Sequence, residues 1–143
     1  MEELRNKFPG AVEAIGTQFG ETTVTLKKES LSRVCEYLKQ EKGFDYLSDL
    51  TGLDLGLEAK PRFAVVYHLY SIKSCQRLRL KVRTDDDVDS VTPAWKAANW
   101  FEREIYDLLG VSFNNHPNMT RIYMPDDFNG HPLRKDYPLR GER

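Results

Sequence analysis

Histidine, cysteine and clustered carboxylates are the side chains that could do chemistry in this chain, and they are few: 3 His and 2 Cys in 143 residues. Two histidines lie in an echoed segment. Phe113-Asn114-Asn115-His116-Pro117 is followed fifteen residues on by Phe128-Asn129-Gly130-His131-Pro132. Each copy is a turn former followed by a histidine held extended by the next proline. With Asp126 or Asp127 the two imidazoles could form part of a metal site, yet their spacing matches no closed ligand set, and imidazoles hydrogen-bonded to backbone are commoner. An independent metal-dependent enzyme using His116, His131 and Asp127 is therefore a minor reading.

Cys35 and Cys75 are too few for an iron–sulfur cluster or a cysteine zinc site held within this chain, and read as reduced thiols. Pairing either with His68 as a nucleophile and base has no motif behind it. Asp85-Asp86-Asp87 and Asp89 lack the glycine and spacing of a calcium loop, and read as a solvated linker. Arg134-Lys135-Asp136 could bind phosphate, but the adjacent acid makes ion pairs at an interface the better reading. The chain has no GxSxG elbow, HExxH, P-loop or GxGxxG, and so argues against independent catalysis.

The elements that must position these residues fit one domain of 16.6 kDa, large enough to bury a core without staples. With 40% hydrophobic and 30% charged residues it is globular. A net charge of -1 offers no positive field for nucleic acid or an anionic membrane. No segment has the length and apolarity of a membrane span or a signal peptide, and Glu2 and Glu3 are acids that a presequence would avoid, so any membrane association is expected through a partner.

Phe8-Pro9-Gly10 closes a short helix, and Gly20-Glu21 joins two strands, the second with Thr22, Val24 and Leu26 on one face. Ser30 is placed to cap a helix carrying Leu31, Val34, Cys35 and Leu38 at i, i+3, i+4 and i+7, which makes Cys35 a core residue. Another strand is expected within residues 44–57. Phe63 to Tyr70 reads as a central strand covered on both faces, whereas Leu78, Leu80 and Val82 alternate with Arg79, Lys81 and Arg83.

Thr92-Pro93 predicts the start of the longest helix, running to Gly110. Its apolar stripe is Ala94, Ala98, Phe101, Ile105, Leu108 and Leu109. Glu102 falls at the edge of that stripe and needs a dedicated partner, because an unpaired buried charge costs several kcal/mol. Trp100 points the other way, among Lys96, Arg103 and Asp107. It is either a contact for another protein or is covered by the chain's own C-terminal segment.

From Asn114 onward no period survives, but Ile122, Tyr123, Met124, Phe128, Leu133, Tyr137 and Leu139 alternate with Pro117, Pro125, Pro132 and Pro138. Prolines fix an extended path and reduce the entropy lost on docking, while the apolar residues adhere. The expected organisation is an α+β domain over 1–112, with a small mixed sheet of about four to five strands and helices packed on it. An extended Pro-rich docking arm over 113–143 lies across a partner, and part of it is expected to be mobile in the isolated chain.

Taken in order, Trp100-Phe101-Glu102-Arg103-Glu104-Ile105-Tyr106-Asp107-Leu108-Leu109-Gly110, Phe113, His116-Pro117, Arg121-Ile122 and Gly130-His131-Pro132-Leu133-Arg134-Lys135-Asp136-Tyr137-Pro138 resemble the thirty-kilodalton subunit of respiratory complex I. In bacteria this is the family of C-type subunits of the NADH:quinone oxidoreductase. The likeness extends back through Asp49-Leu50-Thr51, Val66-Tyr67-His68-Leu69 and Arg77-Leu78-Arg79-Leu80-Lys81-Val82, covering about residues 44 to 139. Thr120 departs from it, standing where the family usually has a basic residue.

This resemblance implies an α+β subunit without catalytic residues, cofactor or metal of its own. It implies a structural and assembly role in the peripheral arm of a proton-translocating enzyme, packed near the quinone site on the D-type subunit of forty-nine kilodaltons. Iron–sulfur subunits of the B and I types are the other implied partners. FMN, iron–sulfur clusters and quinone would sit on those other subunits, at the cytoplasmic face of the bacterial inner membrane. Trp100, Glu102, Arg103, Glu104, His116, Arg121, His131, Arg134, Lys135, Asp136 and Tyr137 would be interfacial. The alternative within the same lineage is the matching subunit of an energy-converting hydrogenase or of an F420- or ferredoxin-linked relative. A generic protein-binding adaptor outside respiration is a further class.

Overall fold

The apolar run predicted to be a central strand does lie near the middle of a mixed sheet. In the computed structural model, which describes residues 2–138, five strands follow the order β1-β2-β5-β4-β3. They are β1 (Val12–Gln18), β2 (Glu21–Leu26), β3 (Tyr46–Asp54), β4 (Phe63–Ser71) and β5 (Gln76–Thr84). Neighbours run antiparallel except β2 and β5, which are parallel. The β1–β2 turn places Phe19 and Gly20 at φ 53 and 77, the double left-handed geometry that matches strand twist in a two-residue hairpin.

Registry puts Val24 and Leu26 beside Leu80 and Val82, and those beside Tyr67 and Val65. All are buried on one face. Helix α2 (Leu31–Gln40) covers that face with Leu31, Val34, Cys35 and Leu38; α1 (Glu2–Lys7) adds Leu4. Helix α3 (Ala98–Leu109) packs Ile105 and Leu109 against β3 at Gly52. A Cβ on Gly52 would stand 2.7 Å from Leu109 Cδ1, so only glycine allows this helix to approach the strand so closely.

Three local expectations are corrected. The acidic run is not a free linker. Thr84 Oγ1 donates to the Asp87 carbonyl and accepts the Asp87 N–H at 3.1 Å, folding the chain into β6 (Asp87–Asp89). This pairs in parallel with β7 (Ser112–Asn114), while Lys28 binds Asp87 at 2.9 Å. The long helix begins at Ala98, not Pro93, because the hydroxyl expected to cap it, that of Thr92, lies 2.8 Å from Ser90 Oγ. Turns over residues 91–97 lead into it, anchored by the Trp95 indole N–H on the Phe44 carbonyl at 2.9 Å. Ser30 stands before α2 but forms no side-chain cap, because it ends a tight turn over Lys28–Ser30 in helical backbone conformation.

Candidate functional site

Helix α3 carries two deeply buried carboxylates, and each organises a different part of the surrounding chain. Glu102 is wholly buried. Its Oε1 accepts the Ser90 hydroxyl at 2.6 Å and its Oε2 accepts the Val91 N–H at 2.9 Å. These are the dedicated partners that its place at the edge of the apolar stripe requires. Burial pushes its carboxyl up to about 7, with the Ser90 and Val91 hydrogen bonds working against that rise.

Five residues on, Asp107 is equally buried, and it accepts from four donors of the C-terminal arm. Arg121 Nη1 reaches Oδ1 at 3.1 Å, and the backbone N–H groups of Ile122, Tyr123 and Met124 converge on Oδ2 at 3.2, 2.7 and 3.1 Å. Three successive amides on one carboxylate oxygen form an anion-binding nest, supplied here from within the chain.

The arm also completes the helix end. Gly110, at φ 81, is the left-handed cap. His131 Nδ1 lies 3.0 Å from the Asp107 carbonyl and the Leu133 N–H reaches the Leu108 carbonyl at 2.9 Å, so two carbonyls left open by the helix find donors. A carbonyl only accepts, so this ring carries its proton on Nδ1. His116 has the other tautomer, with Nε2 donating to the Asn99 carbonyl at 3.1 Å and Nδ1 accepting the Asn118 N–H at 2.9 Å. Its fully buried ring lies 3.9 Å from Glu102. The two histidines thus hold opposite ends of α3 through backbone contacts. Among the described residues, no group of three or more His, Cys, Asp or Glu side chains could hold a metal.

A third anchor lies at the end of β3. Asp54 and Arg62 form a two-pronged ion pair at 2.8 and 2.7 Å. Asp54 also accepts the Lys135 N–H at 2.8 Å, and Asp136 reaches the same guanidinium at 3.4 Å. The Arg62 guanidinium holds the carboxyls of Asp54 and Asp136 below the usual range, Asp54 far below it. Arg134 pairs with Asp136 at 3.2 Å and lies over the Phe63 ring, while Tyr137 stacks on Phe128.

The expected interfacial residues therefore fall into groups. Glu102 and His116 meet at the start of α3. Arg103, Arg121 and His131 gather around its middle and end, Arg103 Nε donating to the Thr120 carbonyl at 3.1 Å. Arg134, Lys135 and Asp136 meet Arg62. Trp100 is 54% exposed, with the Arg103 guanidinium at 5.4 Å from its ring, so the described part of the arm leaves about half of it open. Glu104 lines a small groove with Leu108 and Leu133 beside β3. Leu139, the last apolar residue expected of the arm, lies outside the described residues. Asp54, Arg62 and Asp107 are site residues that the sequence does not single out. Asp54-Leu55-Gly56 has turn spacing, and the Gly56 N–H does bind Asp54 at 3.0 Å, but nothing near Asp107 announces Arg121.

The fold and its arm have counterparts. A family model described as the respiratory-chain NADH dehydrogenase 30 kDa subunit matches residues 24–143. The C-type subunit of the NADH-quinone oxidoreductase of Geobacter metallireducens is 48% identical over 142 residues, 97% of this chain and 88% of that protein. The C-type subunit from Acidithiobacillus ferrooxidans is 48% identical over 150 residues, covering 98% and 74%. Among solved structures, one of the membrane-bound sulfane sulfur reductase, an archaeal respiratory membrane complex, contains a chain that superposes with a TM-score of 0.81. That chain is 20% identical, with 96% of this chain and 83% of that one covered, a likeness of fold. With the family model covering the sheet from β2 onward, α3 and the whole arm, the chain belongs to the family of the 30 kDa subunit of the respiratory-chain NADH dehydrogenase.

Proposed function

We propose that the chain is a structural, non-catalytic subunit in the peripheral arm of a proton-translocating NADH:quinone oxidoreductase, seated on the D-type subunit near the quinone site. The observation that carries this reading is how the arm is held. Its polar groups are spent on the chain's own α3, through Asp107, and on β3 and its neighbour through Asp54 and Arg62, whereas Trp100, Tyr123 and Leu133 are left 54%, 55% and 61% exposed. Outward-facing large apolar residues on a support hydrogen-bonded to the sheet and α3 suit a permanent protein contact.

FMN, iron–sulfur clusters and quinone then belong to other subunits, with B- and I-type iron–sulfur subunits as further neighbours. Among the described residues no helix is long and apolar enough to cross a membrane. Attachment to the cytoplasmic face of the bacterial inner membrane would run through the complex. The test is purification of the tagged chain from its native membranes in mild detergent, with mass spectrometry of its companions. Recovery of a D-type subunit with flavin- and iron–sulfur-bearing partners supports the reading. Companions including a hydrogenase or F420-linked subunit instead would replace the electron donor, and the chain alone in the soluble fraction would sink the reading.

A further inference from the structure

Both α2 and α3 cover one face of the sheet, and the other face carries an uneven charge. The β5 residues that alternate with its buried positions are Arg77, Arg79, Lys81 and Arg83, all on this second face by registry with Tyr70, His68, Val66 and Ala64. Arg79 is neutralised by an ion pair, with Glu21 at 2.7 Å. Among the described residues Arg77, Lys81 and Arg83 form no ion pair. Arg77 lies over the Tyr70 ring at 5.9 Å, and Arg83 donates to the Pro61 carbonyl. Lys81 stands between Thr25 and Val66 at the centre of the face. Beside this row is a groove of about 390 Å³ walled by Tyr46, His68, Tyr70 and Arg77.

We propose that this open sheet face, centred on Lys81 and Arg77, docks an acidic segment of a neighbouring subunit. The inference rests on the assembly reading and adds a second contact surface, distinct from the one around α3 and the arm. A chain of net charge -1 that sets four cations on one strand of a face on which none of the described helices packs is complementary to carboxylates. Tyr46 and Tyr70 add ring surface that a peptide can pack on. Glu21 and Asp49, which line the same groove, interrupt the positive row, a pattern that fits the spaced carboxylates of a protein segment better than the continuous phosphates of nucleic acid or a lipid surface.

The test is carbodiimide cross-linking of the purified intact complex, which joins an amine to a carboxylate only where they touch. The expected product links Lys81 to an Asp or Glu of another subunit and disappears in Lys81→Ala. Lys81 joined to a second copy of this chain would overturn the proposal in favour of self-association. Lys81 unlinked and open to acylation would overturn it by showing the face bare. Lys81 shielded but unlinked, with anionic lipid retained, would overturn it in favour of headgroups. In all three cases the co-purifying subunits still report on the assembly reading by themselves. As a second measurement, Arg77→Glu with Lys81→Glu is expected to lower the yield of assembled complex about tenfold while leaving thermal unfolding of the full chain unchanged. Unchanged yield would overturn the proposal.

Discussion

Asp107 and Arg121 are joined at 3.1 Å between α3 and the C-terminal arm, with the carboxylate wholly buried and the guanidinium nearly so. The pair has a consequence for the backbone, because the other Asp107 oxygen gathers the next three N–H groups of the chain. Arg121 in turn donates to the Gly130 carbonyl at 2.9 Å and lies over Phe128. One side chain on a helix thus fixes the course of a segment that has no regular structure of its own.

Asp107→Asn is expected to destabilise the chain by about 3 kcal/mol, because it removes the buried counter-charge and puts an amide NH₂ among N–H donors. Chemical denaturation measures the loss. Amide exchange is expected to localise it, with Ile122, Tyr123 and Met124 exchanging faster while β4 and β5 stay protected. A uniform loss across the sheet would mean that Asp107 supports the core instead of the arm.

Gly110→Ala is expected to cost about 1–2 kcal/mol, from a left-handed backbone and from the His131 ring, whose Cδ2 would stand 2.7 Å from the new Cβ. Adding His131→Ala removes the clash but not the backbone strain. The two losses should therefore be less than additive in a double-mutant cycle; strict additivity would show that the ring yields freely.

Trp100→Ala is expected to change the stability of the isolated chain by no more than about 0.5 kcal/mol, since the ring is half exposed with the Arg103 guanidinium over it. It should lower recovery of the partner subunits several-fold. Equal losses in both measurements would identify Trp100 as an internal packing residue.

Glu102 gives the fold a pH signature. Its folded carboxyl titrates near 7 against an ordinary value of 4.5, so the folded chain holds a proton that the unfolded chain releases. That contribution is full below about pH 4.5 and is lost as pH rises through about 7, amounting at most to about 3 kcal/mol. Asp54, Asp87 and Asp136 work in the opposite sense. Their folded values are lowered, so their contribution is present above the unfolded carboxylate value and fades as pH falls. Glu102→Gln should flatten the stability profile between about pH 5 and 8 and leave the acid limb intact. An unchanged slope above about pH 5 would count against burial as the controlling influence on Glu102.

Much of this is legible in the sequence because local pattern dictates it. The alternation at Leu78, Leu80 and Val82 and the helical spacing of Leu31 to Leu38 are each decided by which face meets the core. The run at Phe63 to Tyr70 is central as expected, but the helices pack on one of its faces, while Ala64 and Val66 on the other are still buried. The family resemblance is likewise written in the order of motifs from Trp100 to Pro138. The anchors of the arm are not legible. Asp107 looks like one more solvated residue beside Lys96 and Arg103 until Arg121 is brought back over it. Asp54 needs Arg62 and Lys135, the latter 81 positions away in the chain. The helix start departs from its local signal for a related reason. Thr92-Pro93 has the right chemistry, but Ser90, Glu102 and Phe44 claim the groups around it.

The most direct test of the assembly role is amide exchange on the full chain, alone and within the purified complex. Residues 121–138 and the exposed side of α3 around Trp100 are expected to gain protection on assembly, with β4 and β5 equally protected in both states. Arm and α3 amides that exchange identically alone and assembled would contradict that role, because the surface assigned to the partner would then be touching nothing.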